Sequence, residues 1–353
     1  MTARRMLTFV LVATALASLG PEARANDAKA PMRGVIVTCP GWGPIWGTPE
    51  MAASLVEIKE LGASWAAIHP YGWIRRDGEV RFQPAETLDF LARAIELTRE
   101  AGLEMFWKPH LGYWGQFSWR GDIAFDAKAR ERFFRDYEAF IVDQAAFAEA
   151  HGVRLFAVGV ELEGTTHYER EWRALIAAVR RVYSGRVLYA ANWDGLDRVP
   201  FWDAVDAIGV HAYFPLIGGS AGNVGQPPTH AALADGWAGP LTELEALSKK
   251  YGKPIVLAEI GYNVNATAAA KPWAYRVEDT AANRELRRRL MEVAIERVEK
   301  ANFVEGMFWW KWMPGRTRWR GNFSLRDAEA RATLARYWRP DPPATAPFPT
   351  TDR

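Results

Sequence analysis

The stretch LFAVGVE, residues 155–161, is an apolar run that ends abruptly at the carboxylate of Glu161. Gly152 precedes it and a polar Gly-Thr-Thr segment follows it, a pattern typical of a buried strand between two turns. A parallel strand covered on both faces is apolar throughout, so the lack of alternation is expected. The pattern therefore predicts a buried parallel strand with Glu161 at its carboxyl end.

A second stretch, PIVLAE at residues 254–259, has the same plan and ends at Glu259. Between such runs lie helical patterns, and the strand and helix signals alternate along the chain. The predicted strands are residues 34–37, 64–68, 103–107, 155–161, 187–191, 207–210, 255–258 and 304–308. Strand–helix units in this number predict an α/β fold, a (β/α)8 TIM barrel forming a single domain over residues 26–338.

Both ends of the chain differ in composition from the barrel. Arg4 and Arg5 precede a mostly apolar stretch and Ala23-Arg24-Ala25, the plan of a secretory signal peptide over residues 1–25. We therefore expect export to the periplasm or the extracellular space. The alternative is a retained N-terminal anchor, although the apolar part is too short for a transmembrane helix. Residues 339–353 form a Pro-rich tail that we expect to be disordered.

The composition argues against several partners and for a sugar. The chain has 353 residues, 44 of them basic and 42 acidic, which gives no reason to expect a nucleic acid or a membrane surface as partner. Cys39 is the one cysteine, so no internal disulfide can form. The 17 Trp, 11 Tyr and 17 Phe suggest flat aromatic platforms of the kind on which sugar rings stack.

Glu161 and Glu259 are the candidate catalytic residues. In a barrel of parallel strands the active site lies at the carboxyl edge, and glycosidic-bond hydrolysis needs two carboxylates there. The alternative is that either glutamate pairs with an arginine and serves the structure. Glu163 would share the side of Glu161 if the strand continued, so it stays an alternative proton donor.

Three histidines, His69, His110 and His211, follow predicted strands two, three and six. They can be sugar contacts, structural residues or ligands of a metal. The first strand lacks the His-x-His of many metal-dependent barrel hydrolases, so we expect neutral sugar contacts and neither metal nor organic cofactor. Lys108 shares the face of His110 by strand alternation and is a further inward candidate.

Trp310 ends the eighth predicted strand, where it can form the floor beneath the cleaved sugar or pack in the core. The segment at residues 215–240 is rich in Gly, Ala and Pro. It predicts a long loop that either walls the active site or is mobile.

Six motifs together resemble one family. They are FAVGVELEGTT, EREWRALI, YAANWD, IGVHAYFPL, PIVLAEIGY and FWWKW, and they are similar to glycoside hydrolase family 113 over residues 34–338. The resemblance implies a retaining TIM-barrel glycosidase, with Glu161 as acid/base and Glu259 as nucleophile. Known members act on β-1,4-mannan.

One position departs from the wider clan to which this family belongs. Many members have Asn just before the acid/base, where this chain has Val160. Asn192 is our candidate to hold the sugar 2-hydroxyl instead. Tyr213, at the end of the sixth strand, is placed to donate a hydrogen bond to Glu259.

The sequence thus predicts an exported hydrolase of β-linked polysaccharides or oligosaccharides, most simply β-mannan, acting through a covalent glycosyl-enzyme. A carbohydrate-binding barrel without catalysis and a metal-dependent barrel hydrolase are the alternatives. Loss of activity with a chelator would favour the last.

The signal peptide prediction can be tested directly. Because the Ala-Arg-Ala motif follows an apolar core, the protein isolated from its native host should begin after Ala25. Mass spectrometry of the intact protein measures this. A mature chain that still carries Met1 would contradict the prediction.

Overall fold

The computed structural model describes residues 31–218, 227–315 and 322–339, which fold around a closed barrel of parallel strands. In chain order the strands are β1 (Met32–Val37), β2 (Trp65–Ile68), β3 (Tyr71–Ile74), β4 (Val80–Arg81), β5 (Glu104–Trp107), β6 (His110–Gly112), β7 (Leu155–Val160), β8 (Arg186–Asn192), β9 (Ala207–His211), β10 (Ile255–Ile260) and β11 (Val304–Trp312). The order around the barrel is β1-β2-β5-β7-β8-β9-β10-β11, and the last strand pairs with the first. All the predicted barrel strands are present, and the predicted TIM barrel is confirmed.

Helices alternate with the barrel strands along the described chain. They are α1 (Pro49–Glu60), α2 (Asp89–Glu100), α3 (Ala127–Ala150), α4 (Glu169–Arg180), α5 (His230–Gly236), α6 (Ala238–Tyr251), α7 (Ala281–Val298) and α8 (Ala328–Trp338). Asp126, Thr280 and Asp327 cap α3, α7 and α8 with a side-chain oxygen that accepts from the backbone three residues on. Such caps satisfy a backbone donor that the first turn cannot.

The barrel strands separate two apolar layers. In β1, Ile36 packs inside the barrel, whereas Val35 and Val37 pack in the layer that includes the helices. The pleat sends alternate side chains to opposite faces, and both faces are buried, so the whole strand is apolar. Inside the barrel the rings of Phe106 and Phe308 meet with centroids 4.9 Å apart.

A small second sheet lies beyond two barrel strands. β3 pairs with β4 in antiparallel fashion and with β6 in parallel fashion. Because β3 follows β2 and β6 follows β5 after only two residues each, this sheet continues the chain past the carboxyl ends of two neighbouring strands. It therefore adds to the wall on the side of the barrel where the active site is expected.

The long loop predicted at residues 215–240 is shorter than expected. Residues 219–226 lie outside the described part, but α5 and the start of α6 occupy its second half. The prediction was wrong there because Gly239 and Pro240 indicate a helix break. Both lie in the first turn of α6, where the missing N–H of proline costs no hydrogen bond.

The predicted signal peptide at residues 1–25 and nearly all of the predicted tail lie outside the described residues. Within the described ranges, no helix is both long enough and apolar enough to cross a bilayer.

Phe308 provides a test of the inner packing. Its ring is fully buried, and a β-carbon on Gly34 would lie 2.1 Å from it, so the glycine leaves room for the ring. Phe308→Ala should lower the free energy of unfolding by about 3–5 kcal/mol, since it removes the ring and leaves a cavity. The matched control is Val56→Ala on α1, which is 51% exposed and should change stability by less than about 0.5 kcal/mol. Urea unfolding measures both, and equal losses would contradict the inner-layer assignment.

Candidate active site

Neighbouring barrel strands place polar side chains side by side at the carboxyl edge. In the register, Asn192 at the end of β8 pairs with His211 of β9, and His211 pairs with Glu259 of β10. Glu161 follows β7 directly, and its backbone N–H donates to the carbonyl of Ala190 over 2.8 Å. The structure thus brings both candidate catalytic glutamates to the same edge.

Glu161 has a left-handed backbone, with φ 53°. This region costs a residue with a β-carbon about 1–2 kcal/mol, and such residues cluster at functional sites. The turn ends the strand, so Glu163 does not continue along the face of Glu161. The carboxylate of Glu163 instead accepts from Arg198 over 2.5 Å, and Glu163 does not line the cavity described below.

One imidazole contacts both catalytic candidates. His211 is fully buried, with Nδ1 2.7 Å from Oε1 of Glu161 and Nε2 3.5 Å from Oε1 of Glu259. An ionised carboxylate can only accept, so the proton of this bond is assigned to Nδ1. His211 therefore holds Glu161 through Nδ1, whereas its Nε2 has no hydrogen-bond partner among the described residues.

Arg120 is the second partner of Glu161. It belongs to the 3₁₀ turn Arg120–Asp122, and its guanidinium donates to Oε2 of Glu161 over 2.6 Å. Burial by itself would raise the pKa of Glu161, but His211, Arg120 and Lys108 outweigh burial and lower that pKa to about 2. Glu161 is therefore held ionised, whereas a general acid must carry a proton.

Glu259 has two donors of its own. Lys108 Nζ lies 2.5 Å from Oε1, and the Tyr213 hydroxyl donates to Oε2 over 3.0 Å. The contact expected between Tyr213 and Glu259 is thus present. Lys108 is fully buried, and burial lowers its pKa although the charge of Glu259 opposes the shift. Both oxygens of the Glu259 carboxylate are therefore held by a donor.

His69 and His110 form a buried pair. Their rings stack with centroids 4.9 Å apart and planes 19° apart, and neither ring nitrogen of His69 has a hydrogen-bond partner. Burial lowers the pKa of His69 to about 3 and that of His110 well below its usual value, so both are neutral. Among the described residues, no three His, Cys, Asp or Glu side chains are grouped as metal ligands.

A cavity of about 600 Å³ opens above the two carboxylates. Of the residues selected from the sequence, Glu161, Glu259, His110, Asn192, Tyr213 and Trp310 line it. His69, Lys108 and His211 do not, and all three are fully buried. The expectation that these three touch the sugar directly therefore disagrees with the structure, because they lie behind the wall; Lys108 and His211 support the carboxylates from there.

Trp193, whose place in a loop after the fifth strand makes it a possible sugar platform, also lines the cavity. The lining residues that were missed from the sequence are Tyr113, Ser118, Trp119, Arg120, Asp194, Trp273, Ala274, Tyr275 and Phe323. Arg120 matters most because it contacts Glu161. It lies in a Trp-rich loop without helical or strand periodicity, so no sequence pattern predicts the direction of its side chain. Trp193 and Trp273 stack with centroids 5.8 Å apart, although 80 residues separate them (273 − 193).

A closed parallel barrel with paired carboxylates after its fourth and seventh strands defines a TIM-barrel enzyme of the glycoside hydrolase class. The sequence profile of Glycoside Hydrolase Family 113 matches residues 41–321, and the chain belongs to this family. The resemblance inferred from the motifs is thereby confirmed. No curated protein sequence matches the chain.

Several solved structures share the fold. A family 113 β-mannanase from Alicyclobacillus acidocaldarius has 26% identity and a TM-score of 0.74, over 88% of this chain and 97% of its own. A family 113 β-1,4-mannanase has 23% identity and a TM-score of 0.76, over 88% and 99%. A β-D-glucuronidase from Dictyoglomus thermophilum has 14% identity and a TM-score of 0.58, over 88% and 51%. The last two likenesses show the fold alone.

The low pKa of Glu161 predicts a pH-dependent stability. A carboxyl group whose pKa falls from 4.5 to about 2 on folding stabilises the protein above pH 4.5, and this is lost as the pH falls towards 2. The free energy of unfolding of the wild type minus that of Glu161→Gln should therefore fall by roughly 3 kcal/mol between pH 6 and 2. Urea titrations across this range measure it. A difference that does not change with pH would mean that Glu161 is not held ionised.

Proposed function

We propose that this protein hydrolyses β-1,4-mannan or manno-oligosaccharides with retention of anomeric configuration. The observation that carries the proposal is the pair Glu161 and Glu259, which both line the cavity at the carboxyl edge of the barrel. Retaining glycosidases hold two carboxyl groups on either side of the scissile bond. Membership of family 113 supports this retaining course.

Glu259 acts as the nucleophile. An oxygen of its carboxylate attacks the anomeric carbon as the bond to the leaving oxygen breaks, and Glu161 gives its proton to that oxygen. In the second step Glu161 takes a proton from water, the water oxygen attacks the anomeric carbon, and the bond to Glu259 breaks. Lys108 and Tyr213 hold the Glu259 carboxylate in place for the first step.

Glu161 needs a proton before it can act as the acid. His211 and Arg120 oppose this, because both favour the carboxylate form. We infer that the bound sugar separates Arg120 from Glu161, so that the pKa of Glu161 rises as the cavity loses water. The low pKa by itself would favour Glu161 as nucleophile, so the allocation of roles must be tested.

The substrate is inferred from the relatives and from the cavity wall. The two family 113 structures are described as a β-mannanase and a β-1,4-mannanase. Trp310 lines the same cavity as Glu259 and is our candidate platform for the sugar ring, and Asn192 is our candidate contact for a hydroxyl. The stacked pair of Trp193 and Trp273 provides a second aromatic wall. We also propose export, on the N-terminal sequence pattern alone.

Removal of each glutamate should give a different rescue. Glu259→Ala removes the nucleophile and leaves a small hole in which azide can attack the anomeric carbon, so the glycosyl azide should have inverted configuration. Glu161→Ala should lower turnover by about 10²–10⁴-fold on substrates whose leaving group needs a proton. With an activated leaving group it should still form the intermediate, and azide should then give an adduct of retained configuration. Nuclear magnetic resonance of the products distinguishes the two.

The control is Glu163→Ala, which removes a carboxylate that pairs with Arg198 away from the cavity and should show neither pattern. If Glu161→Ala gave the inverted azide adduct and Glu259→Ala the retained one, Glu161 would be the nucleophile and Glu259 the acid/base. If both variants kept full activity, the hydrolase mechanism proposed for this cavity would be wrong.

A further inference from the structure

A second aromatic surface lies outside the catalytic cavity. We call it the aromatic ridge, and its members are Trp42, Tyr71, Trp73, Tyr113 and Trp114. Trp42 follows β1, Tyr71 and Trp73 belong to β3, and Tyr113 and Trp114 follow β6. Trp42 contacts Tyr71, Trp73 and Trp114 with ring centroids 5.5, 5.6 and 6.1 Å away.

Two indoles of the aromatic ridge are exposed to solvent. Trp42 is 52% exposed and Trp114 is 48% exposed, although most of the large aromatic side chains nearby in the barrel are buried. A β-carbon on Gly112 would lie 2.9 Å from the ring of Trp114, 3.1 Å from Trp42 and 3.2 Å from Trp73. A bare backbone at this position therefore lets three indoles meet. Contiguous exposed apolar surface of this kind marks ligand grooves rather than ordinary surface.

The ridge joins the catalytic cavity to a second one. Tyr113 lines the catalytic cavity and stacks on Trp114, with centroids 5.6 Å apart and planes 24° apart. Trp42, Tyr71 and Trp73 line the second cavity, which has a volume of about 490 Å³. This volume lies in the range of about 300–1,000 Å³ that is usual for small-molecule sites.

The rim of the second cavity carries groups that suit hydroxyls. Arg81 and Gln83 line it, and both are exposed. Arg81 already pairs with Glu79 over 2.8 Å, so its charge is partly neutralised and does not call for an anionic ligand. Flat rings beside neutralised or uncharged hydrogen-bonding groups match a neutral sugar, which has apolar ring faces and polar edges.

We infer that the aromatic ridge binds a distal part of the same glycan chain that is cut in the catalytic cavity. The occupant follows from continuity: a chain leaving the cavity past Tyr113 meets Trp114 and Trp42 next. The inference rests on the proposed function for the reaction, but Trp42, Trp73 and Trp114 do not line the catalytic cavity. It predicts that long chains are better substrates than short ones.

The test compares substrate length. Wild type, Trp42→Ala and Trp114→Ala are assayed on mannohexaose and on the shortest manno-oligosaccharide that the wild type cleaves. The ratio of kcat/KM for the long substrate to that for the short one should fall about tenfold in each variant, since one stacking contact is lost. Trp42→Phe keeps a ring and should lose no more than about threefold. Val56→Ala, a similarly exposed apolar residue on α1, is the control for surface loss.

A binding measurement separates the ridge from the chemistry. In a Glu259→Ala background, migration through gels containing soluble galactomannan should be retarded, and Trp42→Ala should reduce the retardation. If the wild type cleaves no mannoside, the proposed substrate is wrong, and both experiments are repeated with the β-linked glycan that a screen identifies. An unchanged ratio and unchanged retardation in both Trp→Ala variants overturn the ridge proposal. The ridge proposal is also overturned if the only effect of Trp42→Ala is a change in self-association, measured by sedimentation velocity.

Discussion

A buried ion pair across the mouth of the barrel is the interaction on which the site depends. Lys108 follows the third barrel strand and Glu259 lies on the seventh, so their 2.5 Å contact joins opposite sides of the closed sheet. The lysine is fully buried, and loss of either partner would leave an uncompensated charge in the interior. Closure of the barrel and the position of Glu259 are therefore linked, because the pair forms only when the third and seventh strands are both in place.

From this pair a chain of charges runs through the site. Glu259 contacts His211, His211 contacts Glu161, and Glu161 contacts Arg120. Lys108 pairs with Glu259 and Arg120 pairs with Glu161, and His211 also donates to Glu161, so Glu161 is held ionised although it is buried. The same arrangement sets the main cost of the proposed reaction, since a proton must reach Glu161 against the field of Arg120.

The sequence predicted what depends on long apolar runs and on strand ends. Residues 155–161 and 254–259 gave the barrel and both glutamates, because a strand buried on both faces leaves a clear pattern and its end fixes the place of the next side chain. Contacts that depend on the conformation of a single turn could not be predicted from the sequence. The left-handed backbone of Glu161 turns Glu163 towards Arg198, and no local pattern indicates a positive φ at a glutamate. Arg120 was missed for the same reason, since its position comes from a loop fold and not from periodicity.

The small sheet of β3, β4 and β6 connects the catalytic cavity with the aromatic ridge. It continues the chain beyond β2 and β5 and so carries aromatic rings past the rim, while Lys108, between β5 and β6, faces Glu259 in the interior. Segments a few residues apart thus serve both the distal surface and the nucleophile. Binding free energy gained far from the reacting bond can offset an unfavourable step at that bond. In the mechanism proposed here, a glycan held on the aromatic ridge as well as in the cavity would add binding free energy that offsets the cost of separating Arg120 from Glu161.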